Sequence, residues 1–444
     1  MDIALGSLLS LVYRVVGIAS LALMNIIAAR ALTVDEFGRF TFLVVVVGSV
    51  GAIAAAYASA TGYFVSNRGR EPAEVASNSM LMGTVLGLLF AAGALSILLF
   101  YDGEHRLLIL LLGVAIFPVV ARSVLGGIYI GTGALLKHGF SVHGFGAIAV
   151  VLMLIWLVGL DRRTAGDALA VWIIAQYLAF VVLALSNARW WTWFAQHRPS
   201  PDLMWHVIRF GAFTGLAGFV GFFNYRVDVL LVTGLDSAEG TGFYGTAVRV
   251  AEGLWLFSTS VAVATYASIG SFSRAEAARV TSQGVRHTML VVTGLAIPIF
   301  ILAPWILGLL FGDEFREAGW ALRVLCVGTL FWAPQGVISN YYTLQLGKPW
   351  IPLLVATGSV LISIAVSILL IPRVGYIGGA WATVVSYGVA GAVSTVVYLR
   401  ITASHHSDLW RIRKDDLMSY VRLAQRIRRR DFAAASAGTG GSSS

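Results

Sequence analysis

Twelve apolar runs, each about as long as a lipid bilayer is thick, dominate this 444-residue sequence. A helix crosses the hydrocarbon core with about 20 mostly apolar residues. The runs that meet this requirement lie at 8–29, 40–64, 78–100, 107–129, 142–160, 168–188, 211–234, 243–268, 288–310, 322–344, 351–371 and 377–399. Only 12% of the residues are charged, whereas soluble domains have about 25%. The predicted fold class is therefore an all-α polytopic membrane protein.

The short loops between these runs exclude several classes of function. No loop exceeds about twenty residues, so no soluble domain fits between the spans. The sequence has no Gly-rich phosphate-binding loop of the ATPase kind, and its 8 histidines show no metal-ligand spacing. Its one cysteine, Cys326, lies in an apolar run and is interpreted as a small buried hydrophobe. We predict that the protein acts within the membrane or at its faces, without enzyme activity, cofactor, metal or nucleic-acid partner.

Arginine and lysine in the loops predict the sidedness of the chain. If the N-terminus is cytoplasmic, the cytoplasmic loops hold ten basic residues against eight outside, and the C-terminal tail adds nine. The first run carries Arg14 and follows the acidic Asp2, so we expect a retained span and not a cleaved signal peptide. Both termini are predicted to lie in the cytoplasm.

The two halves of the chain resemble each other at the junctions between runs. Gly38 aligns with Gly242, and Phe40 aligns with Tyr244, at an offset of 204 residues. Offsets of 211 and 212 pair Lys137 with Lys348, and Gly166, Ala168 and Ala170 with Gly378, Ala380 and Ala382. The alternative is chance similarity among apolar helices that end in Gly-bounded turns. With six helices in each half, the halves would share one orientation, as parallel repeats about a pseudo-two-fold axis along the membrane normal.

This repeat predicts two six-helix lobes that enclose a central cavity. The N-lobe covers 1–190, a cytoplasmic linker covers 191–210, the C-lobe covers 211–400, and a basic cytoplasmic tail with a flexible end covers 401–444. Prolines inside the runs are expected to kink helices or to act as hinges; they are Pro118, Pro298, Pro304 and Pro334. Apolar residues at helical spacing in the tail favour a helix on the anionic inner leaflet, a docking segment for assembly proteins, or a stop-transfer signal.

Three junction motifs resemble those of a known family. They read ARALTVDEFGRF after the first run, DVLLVTGLDSAEGTGFYGTAVRVAE around the seventh and eighth, and GYIGGAWATVVS at the start of the twelfth. In order and spacing they resemble the polysaccharide-export flippases of the O-antigen (Wzx) type, in the multidrug/oligosaccharidyl-lipid/polysaccharide (MOP) exporter superfamily. The resemblance covers nearly all of residues 1–400.

The resemblance implies a specific activity in a bacterial inner membrane. Such proteins move undecaprenyl-pyrophosphate-linked oligosaccharides from the cytoplasmic to the periplasmic leaflet by alternating access, for the synthesis of O-antigen, capsule or exopolysaccharide. The implied partners are this lipid-linked oligosaccharide, membrane lipids and glycan polymerase or assembly proteins. Because two lobes already form a cavity, we expect a monomer.

Charged residues inside the runs supply the candidate site. Four are cationic and two anionic: Arg14, Arg122, Arg226, Arg249, Asp228 and Glu252. A net positive interior suits an anionic substrate, and guanidinium groups bind phosphate oxygens in pairs. We therefore predict pyrophosphate binding by an inner pair, Arg14 with Arg122, and an outer pair, Arg226 with Arg249.

Most of these residues also have another interpretation. Arg14 and Arg122 would also be explained by snorkelling to the inner headgroups. Arg249 and Glu252 stand three residues apart on one helix face, so they can pair and lock helices together. Asp228 and Glu252 are the candidate coupling-ion sites, for protons or sodium. Candidate glycan contacts, for which interhelical hydrogen bonding is the alternative role, are Asn25, Tyr57, Asn224, Gln335 and Asn340.

Three other functions remain as alternatives at this point. A multidrug or cation antiporter of the multidrug-and-toxin-extruder type would favour acidic residues that are not paired with arginine. A membrane glycosyltransferase or glycan polymerase would need a sizeable outside loop. A structural scaffold would leave the interior charges without a reason. The sequence does not specify the glycan or the energy source. Transport would be driven by protons, by sodium ions, by the membrane potential or by consumption of the product.

Overall fold

The protein is described by a computed structural model that covers residues 3–66, 71–99, 106–186, 192, 197–411, 413, 416 and 418. These residues form helices and short connections, with no β-strand among them. The helices of the first half are α1 (Ile3–Ala31), α2 (Val34–Ser66), α3 (Pro72–Ser96), α4 (Arg106–Gly131), α5 (Leu135–Met153) and α6 (Ala165–Leu185). Those of the second half are α7 (Pro201–Leu235), α8 (Ala238–Gly253), α9 (Trp255–Ser271), α10 (Arg274–Phe311), α11 (Gly319–Trp332), α12 (Gln335–Asn340), α13 (Trp350–Val374) and α14 (Tyr376–Thr402), followed by the short α15 (His406–Trp410).

The helices confirm the predicted class of fold. Within the described part of the chain, 11 helical stretches are long and apolar enough to cross a membrane, and α1 adds a shorter apolar stretch at Val15–Ala31. Each of the twelve predicted runs falls on one of these stretches. The protein is therefore an all-α, multi-pass membrane protein.

Two of the predicted runs are interrupted helices. Run 243–268 is divided at Leu254 into α8 and α9. Run 322–344 is divided at Ala333 and Pro334 into α11, α12 and a wide helical turn at Tyr341–Gln345. The interruption at Pro334 fits its lack of an amide donor. The other three prolines, Pro118, Pro298 and Pro304, lie within the continuous helices α4 and α10.

Contacts between residues group the chain into two compact units. Unit 1 contains Met1–Arg249, Leu302–Leu325 and Ala356–Ser386, and unit 2 contains Val250–Ile301, Cys326–Val355 and Tyr387–Ser444. Unit 1 thus holds the whole of the predicted N-lobe together with parts of the second half. The lobe boundaries 1–190, 191–210, 211–400 and 401–444 remain predictions.

Helix α2 is the centre of unit 1, where it packs along α4 and α7. Small residues allow this close approach, as is common between helices in a membrane. On α4, a Cβ at Gly127 would lie 2.2 Å from the carbonyl oxygen of Ala58 on α2. On α7, a Cβ at Gly211 would meet Tyr57 of α2, and a Cβ at Gly215 would meet Ala56 of α2. The backbone of α2 therefore lies against two neighbouring helices at once.

The N-terminal ends of α2 and α8 cross through a reciprocal pair of glycines. A Cβ at Gly38 would lie 1.7 Å from the carbonyl oxygen of Ala238, and a Cβ at Gly242 would lie 2.3 Å from that of Val34. Both pairs, 34 with 238 and 38 with 242, are related by the offset of 204 found in the sequence. A two-fold axis produces such reciprocal contacts. The contacts at this crossing are thus reciprocal, and the repeat of the two halves stays a prediction.

Unit 2 has its own core, which includes the beginning of the tail. Buried Tyr341, Tyr342 and Tyr398 pack there with aliphatic residues, and Leu409 of α15 is fully buried in the same cluster. The hydroxyl of Tyr342 donates a hydrogen bond to the carbonyl oxygen of Ser394 at 2.6 Å. The tail therefore begins as a packed part of unit 2, and residues 419–444 lie outside the described part of the chain.

A buried ion pair holds the tail against α10. The guanidinium of Arg286 donates to both carboxylate oxygens of Asp416, at 2.7 Å and 3.3 Å, and also to the carbonyl oxygen of Asp408. Burial alone would raise the pKa of the Asp416 carboxyl. Hydrogen bonds from Arg286 and from the amide of Arg413, with the charges of Arg286 and His287, outweigh burial and hold this pKa below its usual value.

We predict that Gly38→Ala destabilises the protein because the new methyl group overlaps the Ala238 carbonyl oxygen. Overpacking of this kind costs about 1–3 kcal/mol. Gly221→Ala on α7 is the matched control, because a Cβ there would meet nothing within 4 Å. Thermal unfolding of the purified protein in detergent should show a lower Tm for Gly38→Ala and an unchanged or higher Tm for Gly221→Ala. Equal Tm values for the two variants would show that the crossing is loose.

Candidate functional site

Arg122 is a buried cation held by three contacts from α5 and α6. Its side chain, on α4, is only 7% exposed. Its Nε donates to Oε1 of Gln176 at 3.1 Å, and its Nη1 donates to the carbonyl oxygen of Val142 at 3.3 Å. The guanidinium carbon also lies 4.8 Å from the ring centre of Phe145, a cation–π contact. These contacts fix the position and orientation of the guanidinium.

The charge of Arg122 is not neutralised by these contacts. All three come from neutral groups, and no described carboxylate forms an ion pair with Arg122. An arginine at the centre of a membrane helix costs about 2.5–3.5 kcal/mol by insertion scales. An arginine has five N–H donors, and the two hydrogen bonds described here use two of them. Arg122 is therefore suited to bind an anion.

A cavity of about 680 Å³ lies beside Arg122 between α2, α4 and α5. This volume falls within the range of about 300–1,000 Å³ that is usual for small-ligand sites. The described lining residues are Ala55, Ala58, Ser59, Gly62, Tyr63, Arg122, Ser123, Gly126, Gly127, Ile130, Gly131, His138, Ser141 and Val142. This lining contains Arg122 and no carboxylate. The cavity can thus accommodate a phosphate-sized anion with part of an attached apolar or sugar group.

Small residues on α2 and α4 form one wall of this cavity. A Cβ at Gly131 would lie 2.8 Å from the side chain of Val65 and 3.2 Å from the backbone of Gly62. The two helices meet there backbone to backbone, and Gly127, one turn earlier on α4, lies against Ala58 of α2, whereas Gly126 lies against Ser141 of α5. The absence of side chains at these glycines therefore allows the close approach of the helices that line the cavity.

His138 and Ser141 of α5 provide further polar groups in the lining. Nδ1 of His138 lies 3.0 Å from the carbonyl oxygen of Gly126, and a carbonyl oxygen can only accept, so this nitrogen carries the proton. The hydroxyl of Ser141 donates to the carbonyl oxygen of His138 at 2.7 Å. Both side chains are therefore oriented by the backbone.

A second buried charged residue, Asp228, is held by hydroxyl groups. Its Oδ2 accepts hydrogen bonds from Tyr244 on α8 and from Thr383 on α14, the latter at 3.0 Å. Its Oδ1 accepts from the amide of Val229 at 2.8 Å. The side chain is 6% exposed. Asp228 thus joins three helices of unit 1 through a compact polar cluster.

Arg249 links α8 to α2 near the glycine crossing. Its Nη2 donates to the hydroxyl of Thr41 at 3.3 Å, and its guanidinium carbon lies 5.2 Å from the ring centre of Phe37. Gly245, one turn earlier on α8, makes room for this approach, since a Cβ there would lie 3.0 Å from both side chains, Arg249 and Thr41. In this structure Arg249 contributes to helix packing, and its predicted role in pyrophosphate binding stays a prediction.

The other predicted charged residues are placed as follows. Arg14 lies on α1, but its side chain is outside the described residues. Arg226 is half-buried on α7, and Glu252 is half-buried at the end of α8. Neither Arg226 nor Arg249 lines the cavity beside Arg122. The inner and outer pairs of arginines, and the pairing of Arg249 with Glu252, remain predictions.

Most candidate glycan contacts take part in helix packing. Gln335 donates to the carbonyl oxygen of Gly391 at 3.5 Å, and Asn340 donates to that of Ala262 at 2.8 Å, so both hold helices of unit 2 together. Tyr57 packs against Gly211, and Asn224 is buried on α7. Asn25 donates to the carbonyl oxygen of Leu21 at 2.7 Å, whereas its buried Oδ1 has no partner among the described residues.

Sequence reasoning missed the residues that surround the two buried charges. Gln176 is an amide in the middle of the apolar run 168–188, and a polar residue at such a position is a usable signal. Tyr244 and Thr383 lie inside two of the family motifs but carried no assigned role. His138 follows Lys137 at a junction. Among the described residues, no group of three or more His, Cys, Asp or Glu side chains could hold a metal ion.

Similarity to known proteins identifies the class of this architecture. No family model matches the chain. A protein of Haloferax volcanii described as a probable low-salt glycan biosynthesis flippase is 25% identical over 203 residues, which are 45% of this chain and 42% of that protein. The chain therefore matches less than half the length of this curated relative.

Solved structures resemble the chain over most of its length. A multidrug resistance MATE family transporter of the MOP superfamily, in an inward-facing conformation, has a TM-score of 0.75 at 15% identity and covers 89% of this chain and 98% of its own. The lipid II flippase MurJ, in an inward closed conformation, has a TM-score of 0.73 at 15% identity and covers 91% and 89%. The chain shares the fold of these two transporters, and its predicted resemblance to glycan flippases is confirmed by the Haloferax volcanii relative.

Proposed function

We propose that this protein is a flippase for a lipid-linked oligosaccharide. It moves an undecaprenyl-pyrophosphate-linked glycan from the cytoplasmic to the periplasmic leaflet by alternating access, for the synthesis of O-antigen, capsule or exopolysaccharide. The observation that carries the proposal is the uncompensated cation Arg122 at a cavity of about 680 Å³. The pyrophosphate is the charged part of such a substrate, and guanidinium is its best protein ligand.

The charge of the site favours this substrate over a cationic drug. The described lining of the cavity contains Arg122 and His138 but no carboxylate. A cation would be repelled there, and the cost of this repulsion is greater in a membrane interior than in water. The similarity to a MATE transporter concerns the fold, so it does not outweigh the charge of the site.

The relatives support a lipid-linked glycan as cargo. The curated relative is described as a glycan biosynthesis flippase, and MurJ is a lipid II flippase. We extend these substrates to this chain as part of the proposal. We further propose a bacterial inner-membrane location with both termini in the cytoplasm, a monomeric protein, and contact with glycan polymerase or assembly proteins.

Asp228 is the better of the two candidate coupling-ion sites. A carboxylate that accepts three hydrogen bonds is prepared to carry charge, and Asp228 has such bonds from Tyr244, Thr383 and the amide of Val229. We propose that proton or sodium binding at Asp228 loosens this cluster and so alters how α7, α8 and α14 pack.

We expect Arg122→Met to abolish transport. In a deletion strain that has no second flippase, undecaprenyl-pyrophosphate oligosaccharide should accumulate in the inner leaflet. The wild-type gene should reverse this accumulation. The Arg122→Met gene should fail to reverse it, whereas Arg163→Met, which removes an exposed arginine, should succeed. Extracted lipids quantified by mass spectrometry provide the readout.

Two other outcomes would contradict parts of the proposal. Full complementation by Arg122→Met would remove the site from the account while keeping the flippase. No accumulation in the deletion strain, in cells shown to make such a lipid and to have no second flippase, would reject the flippase. Export of cationic dyes by the same strain would then support the antiporter.

We expect Asp228→Asn and Asp228→Leu to separate coupling from stability. Asparagine keeps an oxygen that accepts from Tyr244 and Thr383, so its Tm should stay close to that of wild type. Leucine removes the acceptor that the two hydroxyls share, so Tyr244 can donate only to the Thr383 hydroxyl, 3.2 Å away, and Thr383 only to the carbonyl oxygen of Gly379 at 3.1 Å. We therefore expect a lower Tm, because a buried hydrogen bond contributes about 0.5–1.5 kcal/mol. If Asp228 couples transport to an ion, Asp228→Asn should lower transport several-fold despite its normal Tm. Wild-type transport by Asp228→Asn would assign Asp228 to packing alone.

A further inference from the structure

We propose that Gln176 is a positioning residue that holds Arg122 in place without cancelling its charge. This inference rests on the proposed function and deepens it, because it identifies what makes the site selective for an anion. Gln176 would act through Arg122, and not by touching the substrate. The feature that matters is that its side chain is a neutral amide and not a carboxylate.

The geometry places Gln176 behind the guanidinium and away from the cavity. Gln176 is 1% exposed on α6, and it does not line the cavity that Arg122 lines. Its Oε1 accepts the Nε hydrogen of Arg122 at 3.1 Å. The Val142 carbonyl oxygen and the Phe145 ring complete the support. The amide therefore fixes the inner edge of the guanidinium, and the cavity is left to a ligand.

The neutral amide has a specific chemical consequence. A glutamate at 176 would place a carboxylate next to the same Nε, and a buried Arg–carboxylate pair forms strong, often paired hydrogen bonds. Such a pair has no net charge, so a pyrophosphate would have to compete with an internal anion. Glutamine provides an acceptor of nearly the same shape and leaves the positive charge of Arg122 uncompensated.

A purely structural role for Gln176 leads to a different expectation. If the amide only ties α6 to α4, a stronger tie should be tolerated, and Gln176→Glu should behave as wild type. Gln176→Met has a similar length and volume but no acceptor, so it should then be the damaging change. The two substitutions therefore give opposite results under the two roles.

Binding of inorganic pyrophosphate to the purified full-length protein tests this difference. We expect Gln176→Glu to keep or raise the Tm but to weaken pyrophosphate affinity by roughly tenfold or more, which is the effect of losing one buried charged contact. We expect Gln176→Met to lower the affinity by less, because the charge of Arg122 remains. Arg122→Met should bind no pyrophosphate. Gln283→Glu, which adds the same charge at an exposed position, should bind as wild type.

Two results would overturn the proposal. If Gln176→Glu bound pyrophosphate with wild-type affinity, the neutral charge of the amide would not be what allows Arg122 to bind an anion. Equal losses of affinity and Tm in both Gln176 variants would show a packing role. If the wild type binds no free pyrophosphate, complementation by the two variants in the lipid-accumulation assay decides in the same way. Failure of the wild-type gene itself to act in that assay would instead reject the proposed function.

Discussion

Close backbone contact along one helix, α2, is the constraint on which the rest of unit 1 depends. Helices in a membrane gain little from hiding apolar surface, so they associate by tight packing of small residues. Gly38 of α2 lies against α8, and Ala58 and Gly62 lie against Gly127 and Gly131 of α4. The same helix thus crosses the second half of the chain and forms the wall of the cavity. Larger side chains at these positions would separate the helices and fill the site.

The cavity is useful because a charge is maintained beside it. A guanidinium in this environment must be hydrogen-bonded, or its burial would be too costly. The protein meets this need with an amide, a carbonyl oxygen and an aromatic ring, all of them neutral. Asp228 is stabilised in the complementary way, by hydroxyl and amide donors. Unit 1 therefore holds a buried cation and a buried anion, each hydrogen-bonded to neutral groups.

Hydropathy predicted nearly all of the helices, because the bilayer sets the length of a span and this length can be counted as a run of apolar residues in the sequence. The aligned glycines Gly38 and Gly242 were also visible, but an alignment says that two positions are equivalent and not that they touch. Their contact depends on the three-dimensional crossing of α2 and α8. The break at Leu254 had no signal as clear as the proline at 334.

The candidate site was predicted less completely, because side-chain partners are distant in the sequence. Arg122 was found as a charge in an apolar run, whereas Gln176, 54 residues away, supplies its main hydrogen bond. Nothing local in the sequence distinguishes Arg122 from Arg249, yet the first lines a cavity and the second packs against Phe37 and Thr41. The docking of the tail through Arg286 and Asp416 was missed for the same reason.

The most direct test of the account is translocation in a purified system. The protein is reconstituted into liposomes with a fluorescent undecaprenyl-pyrophosphate-linked disaccharide, and an enzyme that cannot cross the membrane removes the sugar from the outer leaflet. The account predicts that wild-type protein exposes the inner pool of the lipid to the enzyme, and that Arg122→Met protein leaves this pool protected, as in protein-free liposomes. Equal exposure with wild-type and Arg122→Met protein, or none with wild type, would contradict it.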